Sequence, residues 1–181
     1  MSVENKVCPT TDDDVTYYEE NGFIQYPHFF SDAEIVELRG AIGEAIGQNR
    51  ERIVGAPGGG RSSKEYEQVF NQMVNLWRDF PLAKRFAHNA ALAESARRLS
   101  GSQQVRIYHD HAMVKPGGEE SRATNWHQDA PYWPMDSAGA LSAWIAVDDV
   151  SVKNGCLHFV PQSHRTVAAP ATKLSPTKRY N

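Results

Sequence analysis

The sequence predicts an α+β fold, helices first and strands after. Three features carry that expectation. Apolar residues recur at spacings of three and four as far as Leu99, they alternate with polar ones from Gln104 onward, and Gly101 stands between the two patterns. A period near 3.6 belongs to a helix that buries one side, and a period of two belongs to a strand. Helices and strands kept apart along the chain suit helices packed on a largely antiparallel sheet. At 181 residues the chain is a little over one average domain, so a single unit over residues 1–181 is expected.

The helical flank is expected over 12–101. Asp12 to Glu20 reads as a short polar helix stopped by Asn21-Gly22, and Phe23 to Pro27 as a brief extended piece. Ser31 with Glu34 three residues on has the form of a capping box, which satisfies exposed amides in a first helical turn. Ile35, Leu38, Ile42 and Ile46 then make the stripe of an amphipathic helix, with Gly40, Gly43 and Gly47 suggesting close packing. Arg50 to Ser63, around Pro57-Gly58-Gly59-Gly60, is a surface loop; no Gly-Lys-Ser/Thr follows it, so it does not read as a phosphate loop. Tyr66, Phe70, Met73, Val74 and Trp77 form a second helical stripe whose simplest role is core packing. Pro81 opens a third helical region that continues through Leu92, Ala96 and Leu99.

The strand region is expected over 104–165, in four pieces. These are Val105 to Val114, ended by Pro116-Gly117-Gly118; Thr124 to Asp129; Ala140 to Val147; and Cys156 to Val160, after the Asn154-Gly155 turn. Residues 166–181, with Pro170 and Pro176, carry no period and read as an irregular tail.

Composition narrows the function. There are 19 basic and 22 acidic residues, a formal charge of −3, so no basic field exists to hold nucleic acid or an anionic membrane. Ala140 to Val147, the longest nearly apolar run, is far too short to cross a bilayer. Asp12, Asp13 and Asp14 stand where a secretory signal needs a positive end, and only Cys8 and Cys156 are available for disulfides. A soluble, cytoplasmic, single-unit protein is expected.

Chemistry concentrates at His127 and Asp129. Two apart on a strand, they point to one side while Gln128 points away or along the rim. An imidazole and a carboxylate on one face are two-thirds of the facial triad that leaves open positions on non-haem Fe(II). A His-x-Asp pair by itself is more often a hydrogen-bonded surface pair than a ligand set.

Its surroundings decide the matter. The pair lies in Asn125-Trp126-His127-Gln128-Asp129-Ala130-Pro131-Tyr132-Trp133-Pro134. Upstream is Tyr108-His109-Asp110-His111-Ala112-Met113-Val114-Lys115-Pro116-Gly117, and downstream come Ala143-Trp144-Ile145-Ala146-Val147-Asp148-Asp149 and Asn154-Gly155-Cys156-Leu157-His158-Phe159-Val160-Pro161-Gln162-Ser163-His164-Arg165. This ordered series resembles the phytanoyl-CoA dioxygenase family of Fe(II)/2-oxoglutarate-dependent oxygenases, most strongly over Tyr108 to Arg165 and more loosely at Asn21-Gly22-Phe23 and Asn75-Leu76-Trp77-Arg78. The resemblance implies a double-stranded β-helix, a jelly-roll or cupin-like barrel flanked by the helices. It implies Fe(II) bound by His127 and Asp129, which would be the catalytic pair, and 2-oxoglutarate lined by His111, Gln128 and Trp144. It implies O₂-dependent hydroxylation of an unactivated C–H bond coupled to conversion of 2-oxoglutarate to succinate and CO₂. Tyr132 and Trp133, just past the pair, would face substrate or pack the barrel mouth.

The chain also departs from the family pattern. The family's third ligand is a distal His, followed shortly by an Arg whose planar fork suits the far carboxylate of 2-oxoglutarate. Only His158 and His164 follow Asp129. They fall inside the Gly-Cys-Leu-x-Phe strand and the Pro-x-Ser-His turn, and Arg165 and Arg179 lack the matching context. The 78 residues from Gln104 have room for about four or five strands against the eight of a whole barrel. The expectation is therefore the first half of the barrel, an N-terminal part of a longer enzyme. Its open strand edges would allow self-association.

Three rival readings of the same residues exist. A non-catalytic oxygenase-like module that completes its sheet against another chain is the strongest, on the missing distal half. A cupin reading through His109 and His111 fails on spacing, because Glu119 and Glu120 come eight and nine residues after His111. A nucleophilic hydrolase lacks its Gly-x-Ser-x-Gly elbow, and Cys156 reads as a small strand residue.

Overall fold

Thr11 starts the first helix and Gly22 ends it, each for a local reason. The structure, a computed structural model of the chain, describes residues 7–48, 71–114, 124–133 and 139–166. Helix α1 spans Asp12–Asn21. The Asp14 backbone N–H donates to Thr11 Oγ1 at 3.2 Å, and the Thr11 N–H donates to Asp14 Oδ2 at 2.7 Å. This is a reciprocal capping box built with Asp in place of Glu. At the other end Gly22 adopts φ +84° and its N–H donates to Tyr18 O at 2.7 Å, as the Asn21-Gly22 stop predicts.

The chain divides into two units. One comprises Met1–Ser31, His88–Arg106 and Trp126–Lys173; the other comprises Asp32–Ala87, Ile107–Asn125 and Leu174–Asn181. Each unit is assembled from separated stretches of sequence.

In the second unit, α2 (Asp32–Gln48) begins directly after Ser31 and buries Leu38, Ala41 and Ala45. Strand β1 (Asn71–Val74) pairs antiparallel with β2 (His111–Val114), with Met73 opposite Ala112 and Val74 opposite His111. A 3-10 turn at Leu76–Arg78 leads to α3 (Pro81–Ala87). Ala45, Met73, Leu76, Ala83 and Ala112 form one buried cluster, with Ile42, Ile46 and Phe80 packed around it. Asp110 stitches the hairpin to the turn. Its carbonyl accepts from Asn75 N at 3.0 Å and its Oδ2 from Trp77 N at 3.0 Å.

The second helical stripe is therefore corrected. Met73 and Val74 lie on a strand and Trp77 in a 3-10 turn. Asn75, at φ +59°, breaks any helix between them. Of the stripe's described residues, Met73 does lie in the buried cluster, whereas Val74 is 38% exposed. Pairing with β2 decided their backbone state. Tyr66, Phe70, the 50–63 loop, the Pro116 turn and residues 167–181 lie outside the described residues.

In the first unit, α4 (Ala90–Leu99) is capped by Asn89, whose Oδ1 accepts from Leu92 N at 3.0 Å. The third helical region is thus two helices, interrupted before the Asn89 cap. Ala91, Ser95 and Leu99, four apart, bury one face of α4. Arg98 pairs with Asp12 of α1, and the Ser95 hydroxyl meets the Cys8 thiol at 3.3 Å. Cys8 and Cys156 are both free.

The four strands expected after Gln104 reduce to one paired strand among the described residues, β2. Thr124 to Asp129, Ala140 to Val147 and Cys156 to Val160 carry no ladder, and Phe23 to Pro27 forms no strand either. The described residues do not form the double-stranded barrel. A strand exists through its partner's N–H and C=O groups, and alternation in a sequence does not supply that partner. Large apolar side chains stay exposed along these segments, Trp126 at 61% and Phe159 at 54% among them.

Candidate metal centre

Asp129 is where the chain bends. Residues 124–128 are neither helical nor paired, and Asp129 (φ −71°, ψ −37°) turns them into a 3-10 turn at Ala130–Tyr132, with Pro131 fixing the local backbone. Despite that bend, the two side chains meet. His127 Nε2 lies 3.2 Å from Asp129 Oδ1, with the imidazole 29% and the carboxylate 50% exposed. Two donors held on one metal at about 2.1 Å and at right angles stand about 3 Å apart. The separation fits a chelating pair, and the donor set, one imidazole nitrogen and one carboxylate oxygen, suits Fe(II). Without metal the same contact is a hydrogen bond whenever Nε2 carries a proton.

A third side chain fixes the carboxylate. The Ser142 hydroxyl donates to Asp129 Oδ2 at 3.1 Å, so the two oxygens of Asp129 face different partners. No sequence spacing announces this contact. The residues are thirteen apart, and the chain between them must turn back before they meet.

Gln128 turns elsewhere. Its amide Nε2 donates to Ser163 O at 3.2 Å, consistent with the alternation that sets it apart from its two neighbours. Ser163 belongs to a short 3-10 turn, Ser163–Arg165, docked on the C-terminus of α1. There Gln162 N donates to Asn21 O at 2.9 Å, while His164 Nε2 and Arg165 Nη2 each lie 3.0 Å from Glu19 O. Helix α1 has no basic residue in its own last turn, so these two side chains supply the polarity its carbonyl end favours. Phe23, just past α1, stacks on Phe159 at 5.0 Å and 11°. The segment beyond the metal pair is therefore anchored to the first helix.

The remaining predicted residues are Trp144 and His111. Trp144 is 42% exposed, two residues beyond Ser142. His111 belongs to the other unit, opposite Val74 in the hairpin, with its ring 6.0 Å from that of His109. His158 sits edge-on to Trp126 at 6.4 Å, with Nε2 3.5 Å from the Cys156 thiol, and His164 is engaged at Glu19. Among the described residues, no three His, Cys, Asp or Glu side chains gather to hold an ion, so His127 and Asp129 are two donors without a third. Among the same residues, no helix is long and apolar enough to cross a membrane.

Comparison with known proteins gives this geometry its context. The chain is 31% identical over 161 residues to an ectoine dioxygenase of Bordetella bronchiseptica, covering 84% of this chain and 49% of that protein. It is 27% identical over 161 residues to the peroxisomal phytanoyl-CoA dioxygenase of Homo sapiens, covering 85% and 47%. The chain thus spans about half the length of these relatives. A solved non-haem alpha-ketoglutarate-dependent carbocyclase of nogalamycin biosynthesis superposes with a TM-score of 0.72 at 27% identity, over 88% of this chain and 60% of that one. The sequence profile of the phytanoyl-CoA dioxygenase family matches residues 18–180, a span that holds the His-x-Asp pair and its Ser142 partner, and the chain belongs to that family.

Proposed function

We propose that the chain carries the iron-binding segment of an Fe(II)/2-oxoglutarate-dependent dioxygenase. The enzyme would hydroxylate an unactivated C–H bond of a small organic substrate while 2-oxoglutarate is converted to succinate and CO₂. The observation that carries the reading is the 3.2 Å pairing of the His127 nitrogen with the Asp129 oxygen on a partly exposed face, in a chain of this family. Bound Fe(II), with 2-oxoglutarate and O₂, would supply the oxidising power that no protein side chain has.

The chain's own residues hold and orient. His127 offers a neutral imidazole and Asp129 a carboxylate oxygen. Ser142 keeps the second carboxylate oxygen occupied, and the Gln128–Ser163 bond steadies the backbone between the two donors. Trp144, His111 and Gln128 are the residues we assign to 2-oxoglutarate, on the resemblance of their motifs to those of the family. The family fold proposed for the complete enzyme is a double-stranded β-helix with α1 to α4 outside it. Relatives are named for different molecules, ectoine and phytanoyl-CoA, so the shared element is the reaction and not one substrate.

One observation favours a second reading. Trp126, Leu157, Phe159 and Val160 expose large apolar side chains, a surface of the kind a partner chain covers. On that reading the protein is a binding or assembly module.

Anaerobic titration with Fe(II) followed by 2-oxoglutarate separates the two. The enzyme reading expects a weak visible charge-transfer band with the wild type and none with His127→Ala. Absence of the band in the wild type overturns it.

A further inference from the structure

We propose that Ser142, with help from Pro131, is a positioning residue that keeps the Asp129 carboxylate turned toward metal. The inference rests on His127 and Asp129 being the ligands and adds what holds the weaker of the two in place.

Asp129 occupies the position before the Ala130–Tyr132 turn, the N-cap place. An aspartate there normally bends its carboxylate over the turn and accepts from the amides two and three residues ahead. A carboxylate spent on its own turn is lost to a metal. Here Asp129 makes no such cap bond. Its backbone is helical (φ −71°, ψ −37°) and not the extended form a capping residue takes, and two further features of the chain act in the same direction. The residue two ahead is Pro131, which has no N–H, so one of the two competing donors is missing. The Ser142 hydroxyl engages Oδ2 at 3.1 Å from a distant part of the chain, which rotates Oδ1 to within 3.2 Å of His127 Nε2. One oxygen is held and the other presented, the arrangement a monodentate ligand requires. Partners of this kind orient metal ligands, and their removal typically weakens metal affinity about 10–100-fold.

The test is a Co(II) titration of the full 181-residue chain, read by visible absorption, with thermal melting recorded for each variant. No 2-oxoglutarate or turnover is needed. Ser142→Ala is expected to weaken Co(II) about tenfold or more, with an unchanged melting temperature. Ser142→Thr keeps the hydroxyl and is expected to bind within about twofold of wild type by the same reasoning. Pro131→Ala restores the competing amide and is expected to weaken Co(II) in the same direction. If Ser142→Ala binds as wild type does while His127→Ala is weaker, the ligand assignment stands and the Ser142 role falls. If Ser142→Ala and Ser142→Thr are equally weak, the hydroxyl is not what matters and the role falls too. If wild type and His127→Ala bind alike, the ligand pair itself is wrong and Ser142 has nothing to position.

Discussion

The hairpin unit and the segment that carries His127 and Asp129 are held together by different forces. Around β1 and β2, Ala45, Met73 and Leu76 are at most 2% exposed, and apolar burial keeps the elements in register. Along residues 126–166, Trp126, Trp144 and Phe159 are exposed and polar tethers do the work: Gln128 to Ser163, Ser142 to Asp129, and the 162–165 turn to the end of α1. A buried core resists small changes because every atom has neighbours. A tethered segment can be re-aimed by losing one hydrogen bond. Stability should therefore be governed by the first region and metal affinity by the second, and mutations should separate the two.

The largest expected effect is on the core. Met73→Ala removes a fully buried side chain and should destabilise by about 2–5 kcal/mol. Urea unfolding measures the loss. If Co(II) affinity under native conditions fell as much as that of His127→Ala, the proposed separation would break.

Gly22→Ala comes next and sharpens the comparison at the tether. Gly22 sits at φ +84°, and a Cβ there would lie 2.3 Å from His164 Nδ1. Strain of this kind costs about 1–3 kcal/mol, and the His164 ring must also move off Glu19. The loss should appear in thermal melting together with a displaced His164 ring resonance in NMR. An unmoved His164 would show that the turn does not depend on the bare glycine.

The smallest effect concerns pH. The Arg97 side chain bonded to Glu94, at 2.7 Å through both its Nε and Nη2, holds the Glu94 carboxyl below its usual range. A depressed carboxyl stabilises the fold above its unfolded pKa, and that contribution fades as pH falls from about 4.5 through the folded value. Both groups lie at the surface, so the effect is slight. Glu94→Gln should flatten the acid limb of stability slightly, and an identical limb would dismiss the pair. Burial raises Tyr18, which gives the opposite sign. Its stabilisation holds below pH 10 and fades as pH rises through the folded value.

How much of this was legible beforehand differs by element. Helix α1 and its Gly22 stop could be read from the chain because caps are local, although the box at its start uses Thr11 and Asp14. The stripe through Met73, Val74 and Trp77 named one residue of the buried cluster, Met73, and the wrong backbone, because a short apolar run fits either period until a partner strand chooses. His127 and Asp129 were legible as a pair two apart. Ser142 was not, since a hydroxyl in an extended run carries no pattern of its own.

The sequence by itself determined the helix stop at Gly22, the family through its ordered motifs, and the choice of His127 and Asp129 as candidate ligands. Tertiary structure alone decided that Asn71–Val74 would be a strand, that α1 would end under His164 and Arg165, and which way the Asp129 carboxylate would turn. The first set depends on neighbours within a few residues, whose backbone preferences are fixed by covalent geometry. The second depends on groups far along the chain, whose meeting is settled only when the whole chain exchanges water for contacts with itself.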